Sequence, residues 1–418
     1  MSWRRLAATA ATLCAALLVV PAPAGAAARA AARAAEPCRQ PVQPSPVFKG
    51  TPVEDQVYAP KRLAPLATGR GVRVAVIDSG VDGKHPQLRG RVERGKDFLH
   101  GDADGLQDCI GHGTGVASLI AAKPEPDTGF QGLAPGAVIV PVRISEQQEI
   151  DGKAVGDNGS PAQFAQAIDW AAGPGRAQVI NLSLVMTGDN SLVAAAVRRA
   201  IAKGVVVVAA AGNHGDQAGG GPLPFPAAYD GVIGVGAVQA DGTRAAFSQQ
   251  GRYVDLVAIG KGVTMAALGA GHTAEDGTSF STPLVAATAA LILERFPRST
   301  PADVERRLKA TADPAPGGGT EYGAGLLNPY RAVTETLVAG NRPPVTPEVM
   351  HPNDPAAEAL ASRRAHSQDM ALWIAAVGAG LVLLMVAAAL IVRRGRERRW
   401  RPADPAQPEP AEADLIRR

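Results

Sequence analysis

Between Gly71 and about Val333 the chain alternates short apolar runs with segments of helical length. The runs are Val72 to Ile77, Ala137 to Val142, Val179 to Leu184, Val205 to Ala210 and Val232 to Val238. They are apolar at nearly every position instead of every second one, which is the pattern of strands buried on both faces. Pro161 to Ala172 and Leu192 to Lys203 supply helix-sized segments between them. The pattern predicts one α/β domain whose parallel sheet is covered by helices on both faces, with functional groups at the carboxyl ends of strands. A longer run, Leu284 to Phe296, predicts a buried helix. It follows Gly277-Thr-Ser-Phe-Ser-Thr-Pro283, where Gly277 permits a tight turn and Pro283 is expected in the first helical turn.

The flanks follow other rules. Arg4 and Arg5, the apolar run Leu6 to Val20 and Ala24-Gly25-Ala26 read in order as an export signal over 1–26. Residues 27–60 are rich in Ala, Pro and Arg and predict an extended arm wrapping the domain at 61–340. Residues 341–369 are a proline-rich linker, and 370–392 run without a charge for the length of a bilayer crossing. Arginines 393, 394, 396, 398, 399 and 401 follow at once, so the tail at 393–418 is expected in the cytoplasm and the α/β domain outside the cell membrane.

Composition adds little but excludes something. A chain of 418 residues with a formal net charge of +3, whose basic cluster lies near the C-terminus, carries no nucleic-acid signal. Cys14 falls in the export signal. Cys38 and Cys109 remain, an even pair in an oxidising compartment, which points to a disulfide tying the arm to the body; two free buried thiols are the alternative.

Four polar residues sit at element boundaries. Asp78 ends the run Val74-Ala-Val-Ile-Asp78. His112 lies in Gly111-His-Gly-Thr-Gly-Val-Ala-Ser118, Asn213 in Ala209-Ala-Ala-Gly-Asn213, and Ser279 at the helix start. Each alone reads as a turn or cap residue. Their conjunction in one domain supplies what a serine nucleophile needs: a base, a group orienting that base, and donors for an oxyanion.

The blocks VAVIDSGV, GHGTGVAS, AAAGN and GTSFSTP resemble those of the subtilisin-like serine proteases, and the Asp, His, Ser order is the one known for that family. The resemblance implies a serine endopeptidase in which Ser279 attacks the scissile carbonyl, His112 relays the proton and Asp78 orients the imidazole. The Asn213 side chain and the Ser279 N–H would hold the oxyanion. Ile180-Asn-Leu-Ser-Leu184 resembles the strand that pairs with an extended substrate, so Ser183, Leu184 and Val185 are expected to bind it, with Val185 standing where a glycine commonly follows. The Gly101 to Cys109 run, the Cys38 arm, the linker and the single span together resemble mycosins, membrane-anchored subtilases of type VII secretion systems. That implies a protein or peptide substrate, a membrane partner and contact with a secretion complex. The alternative is a structural subunit of that complex with an idle triad.

No cofactor is expected. Asp102, Asp104 and Asp108 read as a solvated acidic turn, with a calcium loop as the alternative. His85, His100, His214 and His272 lie in turn-like sequence without a second ligand at metal spacing, so no metal is expected.

Overall fold

The structure is a computed structural model, and it describes residues 43–337 apart from 102–103, 151–152, 218–220 and 317–318, together with Arg393, Arg394 and Arg396. The export signal, Cys38, the linker and 370–392 lie outside the described residues. Among the described residues no helix is long and apolar enough to cross a membrane.

In chain order the elements are α1 (Val53–Tyr58), α2 (Pro60–Leu63), β1 (Arg73–Asp78), β2 (Lys96–Asp97), α3 (His112–Ala121), β3 (Val138–Arg143), β4 (Gln148–Ile150), β5 (Lys153–Val155), α4 (Pro161–Ala171), β6 (Val179–Leu182), α5 (Ser191–Ala202), β7 (Val206–Ala210), β8 (Ile233–Val238), β9 (Leu256–Ile259), β10 (Val263–Ala266), β11 (His272–Glu275), α6 (Thr278–Arg295), α7 (Pro301–Ala310) and α8 (Pro329–Thr334). Seven strands form a parallel sheet in the order β2-β3-β1-β6-β7-β8-β9, and β4-β5 and β10-β11 are separate antiparallel hairpins. After β3 the chain crosses β1 to continue on the other side of the sheet, which makes the carboxyl end of β1 the switch point where such folds open a crevice.

The strands are buried on both faces, as their composition predicts, and the period of two divides them between two cores. Val74 and Val76 pack with α3 and α6; Ala75 and Ile77 pack with α4 and α5. Asp78 continues the Val74 and Val76 register, so its side chain belongs to the α3 and α6 face. A one-residue slip would send it to the other face.

Helix α6 is the spine of that face. It is apolar all round, buried from Phe280 to Ile292, and lies against β1, β6, β7, β8 and β9. It begins at Thr278, so Pro283 is in the second turn and not the first as expected. Its missing N–H leaves the Ser279 carbonyl without an intrahelical donor.

The N-terminal arm is fastened at several points. Ser45 N–H donates to Ala270 O (3.0 Å), His272 N–H to Pro46 O (3.0 Å), and Phe48 N–H to His272 Nδ1 (3.0 Å). In α1, buried Glu54 accepts Thr264 N–H at 3.1 Å and buried Asp55 accepts Gln131 N–H at 2.9 Å, while the Tyr58 hydroxyl accepts Ile259 N–H at 2.8 Å. Burial pushes the Glu54 carboxyl up to about 8 and that of Asp55 up to about 7.

A carboxyl with a raised folded pKa stabilises the fold while protonated. The Glu54 contribution is complete below its ordinary 4.5 and is lost as pH rises through about 8. Glu54→Gln keeps an acceptor for Thr264 and cannot ionise. Denaturant unfolding should therefore show a wild-type stability that falls between about pH 5 and about pH 8, and a variant whose stability falls less. Parallel pH profiles would contradict the burial account.

Candidate active site

Asp78 is carried to the crevice by β1 and is 1% exposed. Its Oδ1 accepts Ser79 N–H at 2.7 Å and the His112 Nδ1–H at 2.7 Å, whereas Oδ2 is buried without a donor among the described residues. With Nδ1 donating to Asp78, His112 is the tautomer whose Nε2 carries a lone pair. Burial pulls the His112 pKa down. The Asp78 charge and hydrogen bond, with smaller contributions from Asp108 and Glu275, outweigh it and leave the net shift upward.

What holds His112 against β1 is a set of donors converging on Asp108. Asp108 Oδ1 accepts from Ser79 Oγ (2.9 Å), Ile110 N (3.0 Å) and Gly111 N (2.8 Å), and Oδ2 from Thr114 N (2.9 Å) and Thr114 Oγ1 (2.6 Å). Ser79 Oγ in turn accepts Gly113 N–H at 2.9 Å. The first N–H groups of α3, which no helical carbonyl can satisfy, are thus taken by Ser79 and Asp108. Gly113 is needed for this closeness: a Cβ there would stand 2.1 Å from Gly80 O and 3.1 Å from the Asp78 side chain.

Ser279 and Ser183 bond each other in both directions. The Ser279 hydroxyl donates to Ser183 O at 3.0 Å, and the Ser183 hydroxyl donates to the Ser279 carbonyl left open by Pro283, at 2.8 Å. Asn181 Nδ2 supports Ser183 Oγ at 2.9 Å. Among the described residues no hydrogen bond joins Ser279 to His112; a bond to Nε2 would require the hydroxyl to turn from Ser183 O. Such bonds are often open before substrate arrives.

Asn213 follows β7. Its Oδ1 accepts Thr278 N–H (2.9 Å) and Thr278 Oγ1–H (2.8 Å), and Thr278 Oγ1 accepts Gly212 N–H (3.2 Å). Two donors on Oδ1 fix the amide's direction and leave Nδ2 as its free donor. The Ser279 N–H likewise makes no hydrogen bond among the described residues. His112, Asn213 and Ser279 line one cleft of about 700 Å³, and the Phe280 ring lies 5.3 Å from the imidazole.

Ser183, Leu184 and Val185 lie past β6, which ends at Leu182 and not at Leu184 as expected. Leu184 and Val185 form no backbone hydrogen bonds among the described residues, and both line a second cavity of about 660 Å³ with Ile144 and Phe164.

The acidic turn does not gather as a calcium loop. Asp108 is buried with its oxygens already accepting five donors, Asp104 accepts Leu106 N–H at 3.2 Å and pairs with Arg94 at 3.2 Å, and Asp102 lies outside the described residues. Sequence spacing missed a different group, because the fold alone brings His100, Glu146 and Asp157 within reach of one cation. There Glu146 already pairs with His100 at 2.9 Å and with the buried guanidinium of Arg143, which supplies positive charge at that spot. His85 and His272 are buried beside each other, and His214 accepts from Gln217. Arg143 Nη2 also lies 3.4 Å from Cys109 Sγ.

The family described as "Subtilase family" matches residues 69–328. Among curated proteins, the chain is 37% identical over 273 residues to subtilisin E of Bacillus subtilis, covering 65% of this chain and 68% of that one. It is 39% identical over 265 residues to a thermophilic serine proteinase of Bacillus sp. strain AK1, covering 63% of this chain and 62% of that one. Among solved structures it resembles MycP1 from Mycobacterium smegmatis, with TM-score 0.61, 30% identity, and coverage of 72% of this chain and 90% of that one. It also resembles MycP3 protease from the type VII (ESX-3) secretion system, with TM-score 0.58, 30% identity, and coverage of 71% and 95%.

Asp108→Asn tests the mounting of α3. An amide can match only one of the two oxygens, so either Thr114 or the 110–111 turn faces a donor instead of an acceptor. The expected loss of unfolding free energy is about 2–3 kcal/mol, measured by chemical denaturation. A loss below about 0.5 kcal/mol would show that the network carries no stability.

Proposed function

This chain belongs to the subtilase family of serine peptidases, and from that premise we propose that it is an endopeptidase working through Asp78, His112 and Ser279 with Asn213 as an oxyanion donor. The observation that carries this reading is the 2.7 Å bond from His112 Nδ1 to buried Asp78, made on the cleft that Ser279 and Asn213 also line. Ser279 Oγ attacks the peptide carbonyl carbon as its proton passes to His112 Nε2. The oxyanion accepts from Asn213 Nδ2 and the Ser279 N–H, at the positive end of α6. Collapse expels the amine, which takes the proton from Nε2, and water repeats the sequence on the acyl-enzyme. Asp78, bonded to Nδ1, orients the ring and stabilises the imidazolium.

The acyl side of the substrate lies along Ser183, Leu184 and Val185, and the Leu184 and Val185 backbone groups, unpaired among the described residues, can pair with an extended peptide. Val185, in place of a glycine, narrows the choice of side chain there. Likeness to MycP1 and MycP3 favours association with type VII secretion. The export signal, the uncharged stretch at 370–392 and the arginines after it favour a single-pass protein with its catalytic domain outside the cytoplasmic membrane and its tail inside. Cys38 is proposed as the partner of Cys109.

Purified protein should be labelled by a fluorophosphonate probe, and Ser279→Ala should lose both labelling and peptide cleavage. Asn213→Ala should keep labelling and detectable cleavage, with kcat lower by about a hundredfold to a thousandfold. Equal residual rates in the two variants would overturn the assignment. An unlabelled wild type that still supports secretion would favour a structural subunit with an idle triad.

A further inference from the structure

One wall of the catalytic cleft has a composition that the peptidase reading does not use. The β10-β11 hairpin supplies Met265 and Leu268, and Phe280 extends this apolar surface from the start of α6. At its rim stand Glu275 and Asp276, both exposed. Asp276 Oδ1 is occupied by Gly262 N–H at 2.7 Å, but the Glu275 carboxylate makes no hydrogen bond or ion pair among the described residues. Among the described residues no Lys or Arg lines this cleft. An apolar wall ending in an uncompensated carboxylate matches a side chain with an aliphatic stem and a cationic head.

Polarity along the substrate follows from the two cavities. The cavity lined by Leu184 and Val185 shares no lining residue with the cleft holding His112, Ser279 and Glu275. With the acyl half running past Ser183 to Val185, the leaving half passes His112, which protonates its amine, and then the hairpin. We infer that Glu275 selects substrates with a lysine or arginine in the first two positions on the leaving-group side of the scissile bond. This rests on the proposed role of Ser279. The Glu275 charge is within electrostatic reach of His112, since it is one of the charges raising that pKa. A cationic side chain bound there also places positive charge beside the Glu275 and Asp276 carboxylates, which favours its capture from solution.

Three peptides differing only after the cleaved bond, with Lys, Met or Glu, test the inference. Wild-type kcat/KM should rank Lys above Met above Glu, with Lys over Glu about tenfold at low salt, the size of one partly exposed charge contact. The ratio should shrink to about twofold in Glu275→Gln and in about 0.5 M salt, and should invert in Glu275→Lys. A second arm measures affinity of the same peptides for the Ser279→Ala protein, where the ranking should persist without turnover. Equal ratios in wild type and Glu275→Gln, or affinities of the Ser279→Ala protein indifferent to charge, would overturn the inference. If the Met peptide is not cleaved by wild type, it is the Ser279 reading that fails, and the binding arm alone decides for or against Glu275.

Discussion

The 2.7 Å bond between Asp78 and His112 joins a strand end to a helix start across a step in the chain, and the rest of the site is arranged to make it possible. Both groups are costly where they stand. Asp78 is a buried carboxylate with one oxygen unpartnered among the described residues, and His112 would lose its proton to burial alone. Each is tolerable because of the other: the charge raises the imidazole pKa, and the imidazole N–H satisfies the carboxylate. Removing one partner leaves the other exposed to its full burial cost, so stability and chemistry are coupled at this point.

Holding that pair in register takes two further devices. Asp108 acts as an anchor for the first turn of α3, gathering N–H groups that a helix start leaves open, and Gly113 lets the turn sit against Gly80 and Asp78. On the other side, Pro283 opens the Ser279 carbonyl for the Ser183 hydroxyl, which ties the start of α6 to the end of β6. Ser279 is thus carried by a helix buried from Phe280 to Ile292, on the same sheet face as Asp78.

The sequence carried the large elements because their signals are cumulative. Five runs of β-branched residues, and helices such as α4 and α5, appear within a residue or two of their expected limits. Asp78, His112, Asn213 and Ser279 could be picked out because each follows a strand or opens a helix, and the fold brings their boundaries to one crevice. What could not be read was set by contacts between distant residues. Strand β2 has two residues, too few for a pattern, and β10-β11 mixes Met, Thr, His and Glu. Asp108 looked like one of three surface acids because its five donors come from backbone and hydroxyl groups that leave no mark on composition. The reciprocal Ser183 and Ser279 bonds depend on where α6 begins, a boundary that Pro283 placed about one turn too late.

The central claim is that the Asp78 carboxylate governs the charge of His112, and it can be measured directly. Proton NMR titration of the His112 imidazole in wild type and in Asp78→Asn reads the pKa in each. The account predicts a wild-type value above the ordinary histidine range, its largest supporting influence being Asp78, and a fall below that range once burial is left opposed only by Asp108 and Glu275. An imidazole that titrates at the same pH in both proteins would contradict it.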